Sequence, residues 1–143
     1  MKYISKLKEY IVRFSKKGLT PHEIALGVAI GIFVAFIPLF GTHTITAIAL
    51  ASVLRVNTLI VLLGTQISNP LTFPFQLFVS AEIGSLILHG KLLEIKFSYE
   101  MSALLSHYLL PIIIGGFVLS IVGSGASYLL VKGFFLRKRH DTA

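Results

Sequence analysis

Four groups of polar residues interrupt the apolar stretches of this chain, and any chemistry must sit there. His43 lies between Thr42 and Thr44, just past a break made by Pro38 and Gly41. If that break is a hairpin tip, the next helix starts here. Its free N–H groups, the two hydroxyls and the imidazole would then suit an anion such as phosphate. Equally, Thr42, His43 and Thr44 can serve only to cap that helix. The second break, Ser68-Asn69-Pro70, places Asn69 and Thr72 beside Gln66 and Ser68. These could do the same work, or could satisfy backbone groups that Pro70 frees. Arg55 with Asn57 is either an anchor facing lipid headgroups or a phosphate ligand. Glu82 lies inside an apolar run, with Phe75, Phe78, Ser85 and His89 near its face by helical spacing. A carboxyl at membrane depth is expected to find a partner, Arg55 being one candidate, or to take part in proton coupling.

No catalytic set is visible. There is no nucleophile beside a base, no carboxylate pair, and the five histidines include no i, i+4 pair that could hold a metal. The absence of cysteine excludes disulfides, thiolate zinc sites and iron–sulfur clusters. The expectation is a protein that is not an enzyme and carries no cofactor or metal.

The elements that position these groups are apolar. Hydrophobic residues make up 55% of the 143 residues and charged ones 13%, about half the share usual in a soluble domain. A chain this short cannot hide that much apolar surface in a water-soluble core, so lipid is its natural solvent. The net charge of +7 is concentrated at the two ends, where it flanks apolar segments. That is the pattern of cytoplasmic loops and anionic headgroups. No basic stripe with interleaved aromatics is present, and nucleic acid is not an expected partner.

Residues 2–17 place Tyr3, Ile4, Leu7, Tyr10, Ile11 and Phe14 on one helical face and lysines on the other, a basic amphipathic helix suited to the headgroup plane. Thr20-Pro21-His22-Glu23 reads as a capping box that opens the next helix. The organisation is an interfacial helix over 1–18, a membrane domain over 19–132 and a basic cytoplasmic tail over 133–143. Apolar runs cover 24–40, 44–54, 58–67, 71–89 and 108–131, the last being the cleanest candidate to span a bilayer. Basic ends put both termini in the cytoplasm and require an even number of crossings. Either 24–40, 44–66, 71–89 and 108–131 all cross, burying Arg55 near mid-membrane, or the short arms fold back as re-entrant hairpins and Arg55 returns to the cytoplasmic face. The cost of an unpaired buried arginine and the shortness of the arms favour the second.

Gly27 and Gly31 form a GxxxG pair, and Gly116, Ser120 and Ser124 a small-residue ridge; both suit close helix packing, within a chain or between chains. Pro-Leu pairs at 38–39 and 70–71 each separate two apolar arms, and broken apolar segments recurring in two halves point to a transporter-type site.

Thr20-Pro21, the glycine-rich arm through Gly27 and Gly31, Ile37-Pro38-Leu39-Phe40-Gly41-Thr42-His43-Thr44, Arg55-Val56-Asn57 and Ser68-Asn69-Pro70-Leu71-Thr72-Phe73-Pro74 occur in this order. Over roughly residues 15–131 the chain resembles the bacterial membrane family catalogued as domain of unknown function 2062. The resemblance implies a small multi-pass protein of the inner membrane. Some relatives join such a domain to a family 2 glycosyltransferase, which these residues do not include. It implies no activity.

The expected fold is all-α: a multi-pass membrane helix bundle with re-entrant or broken helices and an N-terminal amphipathic interfacial helix. The expected function is a transporter or flippase-like protein for an anionic lipid, polyprenyl-phosphate-linked, in envelope biogenesis. The alternative is a non-catalytic scaffold that docks an envelope-biogenesis enzyme. Expected partners are membrane lipids, further copies of the chain and a membrane-associated glycosyltransferase.

Overall fold

The computed structural model describes residues 2, 4–6, 9, 19–39, 41–94 and 101–141, with residues 101–106 described in backbone only. The amphipathic helix expected over 2–17 lies largely outside the described residues. Five helices follow along the chain: α1 (Pro21–Phe36), α2 (His43–Val53), α3 (Thr58–Thr65), α4 (Phe73–His89) and α5 (Met101–Asp141). Among the described residues the fold is all-α.

Local chemistry fixes the helix ends. Thr20 Oγ1 accepts from the Glu23 N–H at 3.2 Å while Glu23 Oε2 accepts from the Thr20 N–H at 2.8 Å, so the capping box closes, with Pro21 in the first turn. The helix stops at Phe36 because Ile37 precedes proline and is held extended, at φ −68° and ψ 131°. At the end of α2 the Val56 N–H reaches Ala51 O at 2.9 Å and the Arg55 N–H reaches Ser52 O at 3.3 Å. This is a Schellman turn, and its left-handed position, φ 54°, is filled by Arg55 rather than glycine. Asn57 then opens α3, its Oδ1 accepting from the Leu59 and Ile60 N–H groups.

Close backbone approach sets the packing. A Cβ on Gly31 would collide with Val61 O and lie 2.7 Å from Gly64 Cα, and one on Gly27 would lie 2.7 Å from Ile60. Since 27 pairs with 60 and 31 with 64, α3 runs parallel to α1, and α2 returns between them. Against α5 the pairs run in opposite order. Gly84 touches Pro111 O and Gly115 touches Ser80 O, so α4 is antiparallel to the first half of α5. Gly116 and Gly123 meet Phe36, and His22 meets Tyr128, so α1 is antiparallel to the second half. α1 and α4 thus follow one another along α5, joined where Gln76 Nε2 donates to Ala35 O at 2.8 Å.

At 1.5 Å per residue, α2 and α3 are only about 16 and 12 Å long, against a bilayer core of about 30 Å. The run 44–66 is therefore a helical hairpin, not one crossing helix. Arg55 stands in the turn between the two short helices. The turn that carries Arg55 lies at the end of the molecule where α1 begins, because Val56 and Ile60 pack on Gly27. α5 continues past Lys132 without a break to Asp141, so the basic residues 137–139 stand on the same helix.

The interior is built from small residues. Ala25, Ala47 and Ala51 are fully buried, and the largest fully buried side chains are those of Val34, Val61, Pro111 and Ser120. Large apolar groups face outward instead: Ile45 is 71% exposed, Phe75 72%, Leu129 70% and Leu130 74%.

Candidate functional site

Four helix ends meet at the junction between α1 and α4. The C-terminal ends of α1 and α3 and the turns leading into α2 and α4 surround a cavity of about 580 Å³. Ala35, Ile37, Leu39, Gly41 and His43 line it from the first break, and Thr65, Gln66, Ser68, Asn69, Pro70 and Phe73 from the second. Among the described residues the lining holds no lysine, arginine or carboxylate, and His43, half-buried in the first turn of α2, is its one ionisable side chain. The rest of the lining mixes apolar side chains with the neutral polar groups of Thr65, Gln66, Ser68 and Asn69.

The Asn69 turn is tightly self-bonded. Asn69 Oδ1 accepts from the Leu71 N–H at 2.9 Å and the Thr72 N–H at 3.0 Å, and Thr72 Oγ1 accepts from the Asn69 N–H at 3.0 Å. Thr72 Oγ1 also donates to Ile67 O at 2.7 Å. Asn69-Pro70-Leu71-Thr72 is therefore a second capping box built like Thr20-Pro21-His22-Glu23. Both Asn69 and Thr72 spend their oxygen atoms on backbone. Gly41, at φ 76°, makes the first turn, where most side chains would be strained. Pro38 packs beside Gly116 on α5. Thr42 makes no side-chain cap bond; its carbonyl accepts from the Thr46 N–H and hydroxyl, each at 3.0 Å. Thr42 and Thr44 are exposed and do not line the cavity.

The other expected residues lie elsewhere. Arg55 and Asn57 stand at the far end of α2, about 18 Å along the helix from His43. His43, Arg55 and Asn69 do not share one site. Glu82 does not pair with Arg55: its Oε2 accepts from the Leu93 N–H at 3.0 Å, and Ser85 Oγ donates to Lys91 O at 2.9 Å. These two side chains tie the segment after α4 back along that helix.

Two features escaped sequence reasoning. Gln76, buried in an apolar helix, signals an inward hydrogen bond, which it makes to Ala35 O. Tyr128 and Lys132 share a face of α5 by their four-residue spacing; Tyr128 Oη lies 2.7 Å from His22 Nδ1 and 3.3 Å from Lys132 Nζ.

Among the described residues the elements are all helical, and one stretch, His107–Asp141 of α5, is long and apolar enough to cross a membrane. The chain belongs to the family described as an uncharacterized protein conserved in bacteria (DUF2062), whose family model matches residues 5–143. No curated protein and no solved structure matches it.

Proposed function

We propose that this chain is a multi-pass protein of the bacterial inner membrane that carries an amphiphile with an anionic headgroup through the cavity between α1 and α4. Small residues inside and large apolar residues outside are the arrangement of helices packed in lipid, where close backbone approach replaces the hydrophobic core. α5 makes one crossing, and α1 followed by α4 makes the other, interrupted at half depth by the re-entrant α2–α3 hairpin. Both termini then lie in the cytoplasm, as the basic ends require.

The observation that carries the transport reading is the meeting of broken helices around one cavity. The level of that cavity falls near Phe117 of α5, roughly midway between His107 and Tyr128, about 32 Å apart along the helix. Binding at the midplane, among ends of discontinuous helices, is the design of secondary transporters. The N-terminal turn of α2 and His43 supply the polar contacts for an anionic group, and the exposed apolar flanks accommodate acyl chains.

The alternative is a non-catalytic scaffold, for which the Gly116–Ser124 ridge would be a face to pack against a partner helix. Gly116 packs on Phe36 and Pro38, and Ser120 is fully buried within the chain, so that face is largely occupied.

The test is translocation of a fluorescent short-chain anionic phospholipid in proteoliposomes. The purified chain is expected to accelerate transfer between leaflets, and Ser68→Phe, which fills the cavity, to return it towards the protein-free rate. A wild-type rate equal to that of empty vesicles rejects transport and leaves the scaffold.

A further inference from the structure

We propose that His22, Tyr128 and Lys132 form a headgroup site for an anionic phospholipid at the end of the molecule where α1 begins. This inference rests on the membrane reading and is separate from the cavity between α1 and α4.

Lys132 is the one cation between residues 97 and 136, in a run that is otherwise apolar at Leu129, Leu130, Val131, Phe134, Phe135 and Leu136. It is half-buried, and among the described residues no carboxylate lies within ion-pair distance of it. Its ammonium contacts Tyr128 instead, donating to the hydroxyl at 3.3 Å and standing 5.4 Å from the ring centroid. Glu23, close by in sequence to His22, has one carboxylate oxygen committed to the Thr20 N–H.

The cation decides what this cluster recognises. An ammonium only donates, so Tyr128 Oη accepts from Lys132, and the hydroxyl shares a second hydrogen bond with His22 Nδ1 at 2.7 Å. Two N–H donors of the Lys132 ammonium remain, with its positive charge. A cationic donor selects an acceptor-rich anion, and a phosphate oxygen set is the match. His22 and Lys132 meet at the same hydroxyl, which holds the ammonium in place. Leu129, 70% exposed, and Leu136, 43% exposed and one turn beyond Lys132, give acyl chains a surface beside the phosphate. A free anion would have no use for those flanks. The ligand is accordingly a phospholipid headgroup, and the basic Arg137-Lys138-Arg139 segment beyond it reinforces the preference for anionic lipid.

The experiment is lipid titration of the full chain in an uncharged detergent, read by native mass spectrometry, with phosphatidylglycerol and phosphatidylcholine of matched chains. Phosphatidylglycerol is expected to bind roughly ten-fold more tightly. Lys132→Gln should remove that preference, Tyr128→Phe should weaken it, and Lys132→Arg should keep most of it. Arg137→Gln, outside the cluster, should leave it largely intact. Thermal unfolding of each variant establishes that the helices remain packed. Equal binding by wild type and Lys132→Gln at unchanged unfolding overturns the site. A loss as large in Arg137→Gln as in Lys132→Gln also overturns it, since the attraction is then diffuse. Displacement of phosphatidylglycerol by millimolar inorganic phosphate overturns the lipid source in favour of a free anion. A chain that stays dispersed in water without detergent overturns the membrane reading beneath it, which distinguishes that failure from failure of the site alone.

Discussion

Asn69 and Thr72 hold each other twice: the Asn69 N–H donates to Thr72 Oγ1 and the Thr72 N–H donates to Asn69 Oδ1, both at 3.0 Å. Losing one side of this box leaves helix-start donors unsatisfied. Asn69→Ala is expected to destabilise the fold by about 1 kcal/mol, and Asn69→Asp, which keeps the acceptor, by less. Thermal unfolding in detergent measures the difference. Equal stability of wild type and Asn69→Ala would show that the box carries no weight.

Arg55 occupies the left-handed position of the turn between α2 and α3, where glycine is unstrained. Arg55→Gly should stabilise the hairpin by about 1 kcal/mol, the penalty a side chain meets in that conformation. Because Arg55 lies far from the cavity, Arg55→Gln should leave lipid translocation within a few-fold of wild type. Paired unfolding and translocation measurements check both halves; loss of translocation in Arg55→Gln at normal stability would return Arg55 to the transport site.

The glycines divide sharply. A Cβ on Gly84 would overlap Pro111 O, whereas one on Gly125 would meet nothing within 4 Å. Gly84→Ala is expected to cost 1–3 kcal/mol or more as an overpacked contact, roughly the scale of other overpacked sites. Gly125→Ala should be neutral or gain up to about 1 kcal/mol of helix propensity. Membrane yield and melting temperature of the two variants give the comparison, and a well-folded Gly84→Ala would contradict the packing of α4 on α5.

Topology is tested by labelling single cysteines in intact cells with a membrane-impermeant maleimide. Cysteine at Leu92, at the far end of α4, should react from outside. Cysteine at Arg55 should react only after the inner face is opened. Labelling of Arg55→Cys from outside would reject the re-entrant hairpin.

What could be read from the sequence was local. The Thr20–Glu23 box, the stops at Pro38 and Pro70 and the brevity of the arms around Arg55 depend on residues within four positions of each other, and each fixes a helix end. The Pro-Leu echo pointed at the two turns that now line one cavity. The tandem course of α1 and α4 along α5 was hidden, because it depends on backbone contacts between Gly84 and Pro111 and between Gly115 and Ser80, distant in sequence. Glu82 misled for a related reason. Its charge suggested another charge, yet its partner is the Leu93 N–H, a group every residue but proline offers. Arg55 obscured its own turn, since the left-handed position lacks the glycine or asparagine that usually marks it.

The inward placement of small residues turns the usual map of mutational tolerance inside out. In a water-soluble domain the bulky positions are guarded and the small ones are forgiving. Here Ile45, Phe75 and Leu129 face outward and can exchange among apolar side chains, while Gly31, Gly64, Gly84 and Gly115 at the crossings cannot accept a methyl group. Nothing can be trimmed to make room at these four, because the neighbour there is main chain. Variation should therefore collect on bulk and spare the smallest side chains, the reverse of a soluble core.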